Sequence, residues 1–441
     1  MLQQIESLLT QDNIKPYVEE ILKWVSSEEF FKHSKKLSPP PLLNPKNIDY
    51  HQIPCEVAWE LNLPLPQKFK FVYWGSHGAG NTGFGVFLAK YGGVCYYSTN
   101  NNDGKANYCY LYDLILHSKI SLHQFSYLAL RNFVEGENAQ KFHCLIYANK
   151  AINLIRDPIS TLKHHINMKR YNDKSARYFS LGADLNAIFP KLVGYTTNNG
   201  GGAKYRYDAG FKLCEYWMDF RYKTFHDSQL INDCHNIHNT LIIDMKEIIG
   251  QKAFNTMQKL AKYCDFKEIA NTEKAFFEEK ISKYEGVLPL ICHIPQCNSN
   301  IFITTKYWIP MNGIINYEIQ SRYEGVKLPQ EIEYITDKIL ENQKSEIILV
   351  VAKGEKERLL RLSEFVQVKQ YCKSLIECIE RQKRIEDSKA LSETKLLDYL
   401  SANKPLAKKL NKILDEHLAY INKARPDIVE SWKYYQEFKQ L

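Results

Sequence analysis

Three glycines in the stretch "GSHGAGNTGF", Gly78, Gly80 and Gly83, lie just after an apolar run and just before a helical pattern. Glycines at such a junction let the main chain approach a phosphate, whose charge is then met by unpaired N–H groups and the positive end of a helix. Ser76, His77, Gly78, Ala79, Gly80, Asn81 and Thr82 are therefore the first candidate ligand-binding segment. The amides from Gly78 to Thr82 and the Thr82 hydroxyl are the expected donors to a phosphate. The same glycines match G-x-G-x-x-G, the fingerprint of dinucleotide-binding folds, which also wants an acid about 20 positions on to grip a ribose hydroxyl. Here "VCYYSTNNND" closes on serine, threonine and asparagines. The loop is not a Walker A motif either, because no Gly-Lys-Ser/Thr follows at the required spacing.

A second constellation lies in "AINLIRDPISTLKHHIN". An apolar strand runs into Arg156, Asp157 is placed as a helix N-cap, and Pro158 takes the first helical position, where its missing N–H costs nothing. Ile159, Leu162 and Ile166 form the buried stripe of that helix. Ser160 and His164, one turn apart, share a different face and are candidates for a second phosphate or the nucleotide edge. Arg156 emerges at the carboxyl end of its strand, where open α/β sheets bind ligands, and a guanidinium there grips phosphate with a planar fork. Taken alone, Arg156 reads equally well as an ion pair that ties the sheet edge. With the glycine loop upstream, anion binding is the reading adopted.

Group transfer from a phosphate-bound donor also needs a general base. Histidine is suited to it near neutral pH, and His77, inside the loop, is the first candidate, with His117 and His143 as alternatives. The catalytic set is thus His77, Thr82 and Arg156. Lys163, Lys169, Arg170, Lys174 and Arg177 form a basic run that reads either as a solvated helix face or as an attractor for an anionic glycan. Cys234, His235 and His238 cluster in "CHNIHN", but no second half of a ligand set accompanies them and no metal is expected.

These side chains need a scaffold. The chain has 441 residues, 44% hydrophobic and 24% charged, which is ordinary globular composition and enough for two or three packed units. Residues 1–45 read as a helical segment and proline-rich linker, 46–305 as an α/β core, and 306–441 as a mainly helical region. Phe69–Trp74, Val94–Ser98, Phe142–Tyr147, Ala151–Ile155 and Thr240–Asp244 are the expected strands, with helical patterns such as "SLHQFSYLAL" between them. That alternation predicts a parallel sheet covered by helices. Ile249, Ala253, Met257, Leu260, Ala261 and Cys264 make a helical stripe after the last strand, and Thr196–Gly210 reads as a flexible surface loop.

The net charge of +8 is modest and the Lys and Glu residues are mixed, so a nucleic-acid partner is not expected. The stretch "MLQQIESLLTQDNIKPYVEE" does not read as a secretory signal, and with no apolar run of about 18 residues no membrane span is expected. Eleven cysteines without CxxC pairs fit reduced thiols. A cytoplasmic location is expected, with peripheral association at membrane-bound glycan assembly.

"GSHGAGNTGF" resembles the 5′-phosphosulfate loop of sulfotransferases, "LIRDPISTLKHH" resembles their 3′-phosphate motif, and "TLIIDMKEIIGQKAFNTMQKLAKYCDF" is similar to the strand and helix that follow. The sequence departs from that pattern at Gly78, where the family has a basic residue, and at His164, where it has serine. "IPCEVAWELNLPLPQKFKF", the "SHGAG" loop, "LIRDPISTLKHHIN" and "RPDIVESWKYYQEF" together resemble a bacterial family of capsule and surface-glycan sugar transferases that includes O-methyl phosphoramidate transferases. The resemblance implies a sulfotransferase-like P-loop fold with added terminal helices. It also implies an activated nucleotide donor, a glycan acceptor, and transfer of phosphoramidate, sulfuryl or a similar group to a sugar hydroxyl. A sulfotransferase using phosphoadenosine phosphosulfate or a glycosyltransferase is the alternative. Outside that class stand an NAD(P)-dependent oxidoreductase and a non-catalytic glycan-assembly protein whose working surface is the Lys/Glu-rich tail.

Overall fold

Strand β1 (Val72–Gly75) is buried along its whole length. It sits at the centre of a five-stranded sheet in a computed structural model that describes residues 7–34, 39–97, 103–130, 138–171, 175–195, 210–211, 213–219, 225, 234–281, 284, 286–305, 329, 331–341 and 345–441. Its companions are β2 (Gly93–Tyr97), β3 (Phe125–Leu130), β4 (Ala151–Ile155) and β8 (Thr240–Asp244), in the order β2-β3-β1-β4-β8. Every pairing is parallel. Parallel strands need long crossovers, and those crossovers put helices on both faces.

The covering helices are α1 (Asn81–Lys90), α2 (Gly104–His117), α3 (Ala139–Cys144), α4 (Pro158–Ile166) and α5 (Lys252–Cys264). On one face Tyr73, Ile152, Leu154 and Ile243 meet Phe84, Phe87 and Leu88 of α1 and Ala253, Met257 and Leu260 of α5. On the other, Trp74, Leu128 and Ala151 pack with Tyr108, Leu111 and Ile115 of α2. Further along that face Ile155 and Ile242 join Ile159, Leu162 and Ile166 of α4. The same cluster takes in the C-terminal helices α7 (Glu393–Ala402), α8 (Lys404–His417) and α9 (Lys433–Phe438) through Leu396, Leu410 and Tyr435. Each fully buried aliphatic side chain contributes about 1.5–3 kcal/mol, so this shared core fixes the tail against the sheet's carboxyl end.

A second sheet holds β6 (Tyr178–Ser180), β9 (Leu290–Ile294), β10 (Ser299–Thr305), β11 (Ile332–Tyr334) and β12 (Ile347–Ala352), in the order β11-β12-β10-β9-β6. It is antiparallel except where β6 meets β9. Helix α6 (Phe365–Ser388) covers it, with Val368, Cys372, Leu375 and Ile379 against Leu290, Ile301, Ile303 and Leu349. This sheet draws strands from both sides of residue 305, the boundary expected between core and tail. Strands β5 (Lys169–Tyr171) and β7 (Val193–Tyr195) make a separate antiparallel pair.

Two expectations are corrected. "SLHQFSYLAL" was expected to be helical but supplies β3, whose six residues are all buried. A strand covered on both faces reads as an unbroken apolar run and loses the two-residue alternation. Phe142–Tyr147 was expected as a strand but overlaps helix α3, because an apolar run this short does not separate the two periods. The Thr196–Gly210 loop lies outside the described residues except for Gly210.

Candidate phosphate-binding site

The chain leaves β1 at Gly75 and enters α1 at Asn81, and the turn between them is held from below by α1's first side chain. Asn81 Nδ2 donates to the carbonyls of Gly75 and Ser76 at 3.1 and 3.2 Å, while its Oδ1 accepts from the Tyr73 hydroxyl at 2.5 Å. The Asn81 side chain is therefore committed to the loop, which leaves its main-chain amide as the group available to a ligand. Ser76 is buried, and its carbonyl also receives the Ala79 amide at 3.1 Å. Gly78 and Gly80 have φ of +87° and +100°, a region in which glycine is nearly strain-free.

Both glycines are also crowded. A methyl at Gly78 would come within 3.0 Å of His164 and 3.4 Å of Thr161 on α4, and one at Gly80 within 3.2 Å of Met245, the residue after β8. The turn is thus clasped between the ends of β4 and β8. Gly83 differs: a methyl there would meet only Ile281 at an ordinary 3.7 Å.

Arg156 completes the arrangement. Its Nη1 donates to the Gly78 carbonyl at 2.8 Å, and His165 Nε2 donates to the His77 carbonyl at 2.9 Å. Two donors from the β4–α4 unit thereby turn the loop's carbonyls toward themselves. Gly80 caps α1 without a side-chain hydrogen bond. Among the described residues, the N–H groups of Gly80, Asn81, Thr82 and Gly83 receive no acceptor from the protein, and the segment is only part-buried. Such a set of free amides at a helix N-terminus has the donors that an anion would need. Burial pushes the Arg156 guanidinium below its usual pKa, and the nearby carboxylates of Glu393, Asp157 and Asp244 push it back up. It stays charged. No described carboxylate pairs with it directly, so the tie across the sheet edge is to a main-chain oxygen and not to an acid.

The long-range parts of this site were not visible in the sequence. Asp157 caps α4 as expected, Oδ1 accepting from Ile159 and Ser160, but its Oδ2 accepts from Tyr434 and Tyr435 at 3.1 and 3.3 Å and so caps α9 as well. Asp244, ending β8, accepts from the Trp432 indole at 2.9 Å. Glu393, at the start of α7, accepts from Ser160 Oγ at 3.1 Å and lies 3.3 Å from Lys163 Nζ. Ser160 and His164, expected to act together, thus face different neighbours: a carboxylate and the glycine loop.

The other candidates divide clearly. His77 stays at the loop, part-buried. His143 is buried, and burial lowers its pKa to about 4, which leaves it neutral at physiological pH. His117 is exposed and bonds its own helix through Asp113. Of the basic run, Lys174 and the side chain of Arg170 lie outside the described residues, and the other three do not share one surface. Lys163 and Lys169 pair with Glu393 and Asp387, while the Arg177 guanidinium is buried and donates to the carbonyls of Val287, Pro289, Leu192 and Gly286. Among the described residues the group with metal-ligand geometry is Cys55, Glu56 and Cys109, and Cys234, His235 and His238 form none. No helix among them is long and apolar enough to cross a membrane.

A family model described as a protein of unknown function, DUF2972, matches residues 242–441. No match was found among curated proteins or among solved structures. The matched segment begins inside β8, and so takes in Asp244, Glu393 and Trp432 but neither the glycine loop nor Arg156.

Proposed function

We propose that this protein is a nucleotide-dependent transferase with a sulfotransferase-like P-loop core, moving an activated group such as phosphoramidate or sulfuryl to a sugar hydroxyl of a bacterial surface polysaccharide. The observation that carries this reading is the row of acceptor-free amides from Gly80 to Gly83 beside the Arg156–Gly78 hydrogen bond. The amides and the Thr82 hydroxyl hold the donor's reactive phosphate, and the remaining Arg156 N–H groups neutralise charge on the group in transit. The acceptor hydroxyl oxygen bonds to phosphorus or sulfur as the bond to the bridging oxygen breaks. The nucleotide leaves with that electron pair, and His77 takes the hydroxyl proton. In-line positioning supplies most of the rate, and the acceptor glycan comes from cytoplasmic or membrane-associated assembly.

Two observations weigh against the nicotinamide alternative. Strand β3 lies between β1 and β2, whereas the dinucleotide fold puts the second strand beside the first, where its acid reaches the ribose. Gly83, the third glycine of the fingerprint, has room for a side chain.

Thermal-shift screening against adenosine 3′,5′-bisphosphate, cytidine nucleotides and sugar nucleotides tests the proposal. A true donor product stabilises the fold by about 2.7 kcal/mol at a hundredfold excess over its dissociation constant. Stabilisation by none of them, with NAD(P) effective instead, would overturn it.

A further inference from the structure

The placement of Glu393 bears on which nucleotides the site accepts. In the sulfotransferase pattern the helix after the arginine grips a 3′-phosphate, and here that helix is α4. Its outward residues Ser160 and Lys163 are engaged instead by the carboxylate of Glu393, at 3.1 and 3.3 Å. Ser160 is itself buried, so this contact forms part of the site's wall.

The carboxylate is also built in. Leu391 exchanges two hydrogen bonds with the Asn167 side chain at the end of α4, its N–H donating at 2.8 Å and its carbonyl accepting at 2.9 Å. Ser392 then caps α7 by accepting from the Lys395 amide at 3.2 Å. Glu393 follows directly, its side chain mostly covered, with an exposure of 16%. Its second oxygen, Oε2, receives no hydrogen bond from any described residue. The backbone leading into Glu393 is thus tied to α4 and capped onto α7.

A phosphate brought to this wall would face like charge, and the lysine that might offset it is already paired. A free carboxylate oxygen instead accepts hydrogen bonds from hydroxyl groups, as acids do with ribose in other nucleotide sites. Ser160, which Glu393 holds, and His164, which adjoins Gly78, lie one turn apart on α4, and the Glu393 carboxylate acts electrostatically on Arg156, the residue bonded to the Gly78 carbonyl.

Building on the phosphate-cradle reading above, we propose that Glu393 Oε2 is a ribose subsite that selects nucleotides with free 2′- and 3′-hydroxyls and rejects 3′-phosphorylated ones. The donor is then of the nucleoside diphosphate type. Calorimetric titration of the full chain tests this with pyrophosphate, adenosine and cytidine 5′-diphosphates, their 2′,3′-dideoxy forms, and the corresponding 3′,5′-bisphosphates. Wild type should prefer the ribose over the dideoxy form by about tenfold or more, one charge-assisted hydrogen bond's worth. It should also bind the bisphosphates more weakly than the diphosphates. Glu393→Gln keeps the shape and one acceptor for Ser160 and Lys163, and should shrink the first preference and improve bisphosphate binding. Wild type binding dideoxy and ribose forms equally, or Glu393→Gln leaving both ratios unchanged while pyrophosphate still binds, would overturn the subsite and leave the cradle standing. Failure of pyrophosphate and every nucleotide to bind would remove the cradle and the subsite together.

Discussion

The Arg156 guanidinium donates a 2.8 Å hydrogen bond to the carbonyl of Gly78, 78 residues earlier in the chain. The pairing of β1 with β4 makes it geometrically natural. Gly75 lies opposite Leu154 in the register, so the turn after one strand and the arginine after the other leave the sheet side by side. The carbonyls of His77 and Gly78 are held on the arginine side, and the Gly80–Gly83 amides take no acceptor from the described residues.

Glycines 78 and 83 should respond oppositely to alanine. Gly78→Ala places a side chain at φ +87° and 3.0 Å from His164. It should cost about 1–2 kcal/mol in urea unfolding and weaken pyrophosphate binding. Gly83→Ala, inside α1 with room for a methyl, should be neutral or stabilise by up to about 1 kcal/mol. Equal losses at both positions would show that the loop is not the constrained element.

Asp157 joins the site to the C-terminal tail, since one carboxylate caps α4 and α9. With each cap worth about 0.5–2 kcal/mol, Asp157→Ala should cost about 1–4 kcal/mol and make the chain beyond residue 425 the first target of limited proteolysis. Unchanged protease resistance of the tail would contradict this.

The burial of His143 predicts a pH dependence of stability. Its folded pKa, about 4, lies below the unfolded value of 6.5, so the unfolded chain binds more protons between those values. Its contribution is whole above pH 6.5 and declines as pH falls toward 4. Between pH 7 and pH 5 the loss is about 2 kcal/mol, from roughly 1.5 units at 1.36 kcal/mol each. Urea unfolding of wild type and His143→Phe at the two pH values should show wild type losing about 2 kcal/mol more than the variant, and equal losses would contradict the assignment.

The segment matched by the family model, residues 242–441, should not fold when expressed alone. It would begin inside β8, whose partner β4 is missing, and would expose Ile242 and the C-terminal helices that pack with Ile155 and α4. A cooperative thermal transition of that fragment would contradict the packing described here.

What was legible in the sequence were the local units. The glycine loop between strand and helix, and the strand, arginine and capped helix around Arg156, each declare themselves within about a dozen residues through glycine, proline and N-cap chemistry. The order of strands in the sheet does not, and neither do ties such as Glu393 to Ser160 or Trp432 to Asp244, which span 233 and 188 residues. Arg177 illustrates the limit from the other side. In the sequence it belongs to a basic run, while in the fold four main-chain carbonyls accept from its two terminal nitrogens in the core, a role with no periodic signature.

Pyrophosphate titration of wild type and Arg156→Ala by calorimetry, with far-UV circular dichroism to check the fold, tests the anion cradle most directly. Wild type should bind one equivalent, and the variant, still folded, should bind at least about tenfold more weakly, the worth of one charge-assisted contact. A folded variant that binds pyrophosphate as tightly as wild type, or a wild type that does not bind it, would contradict the account.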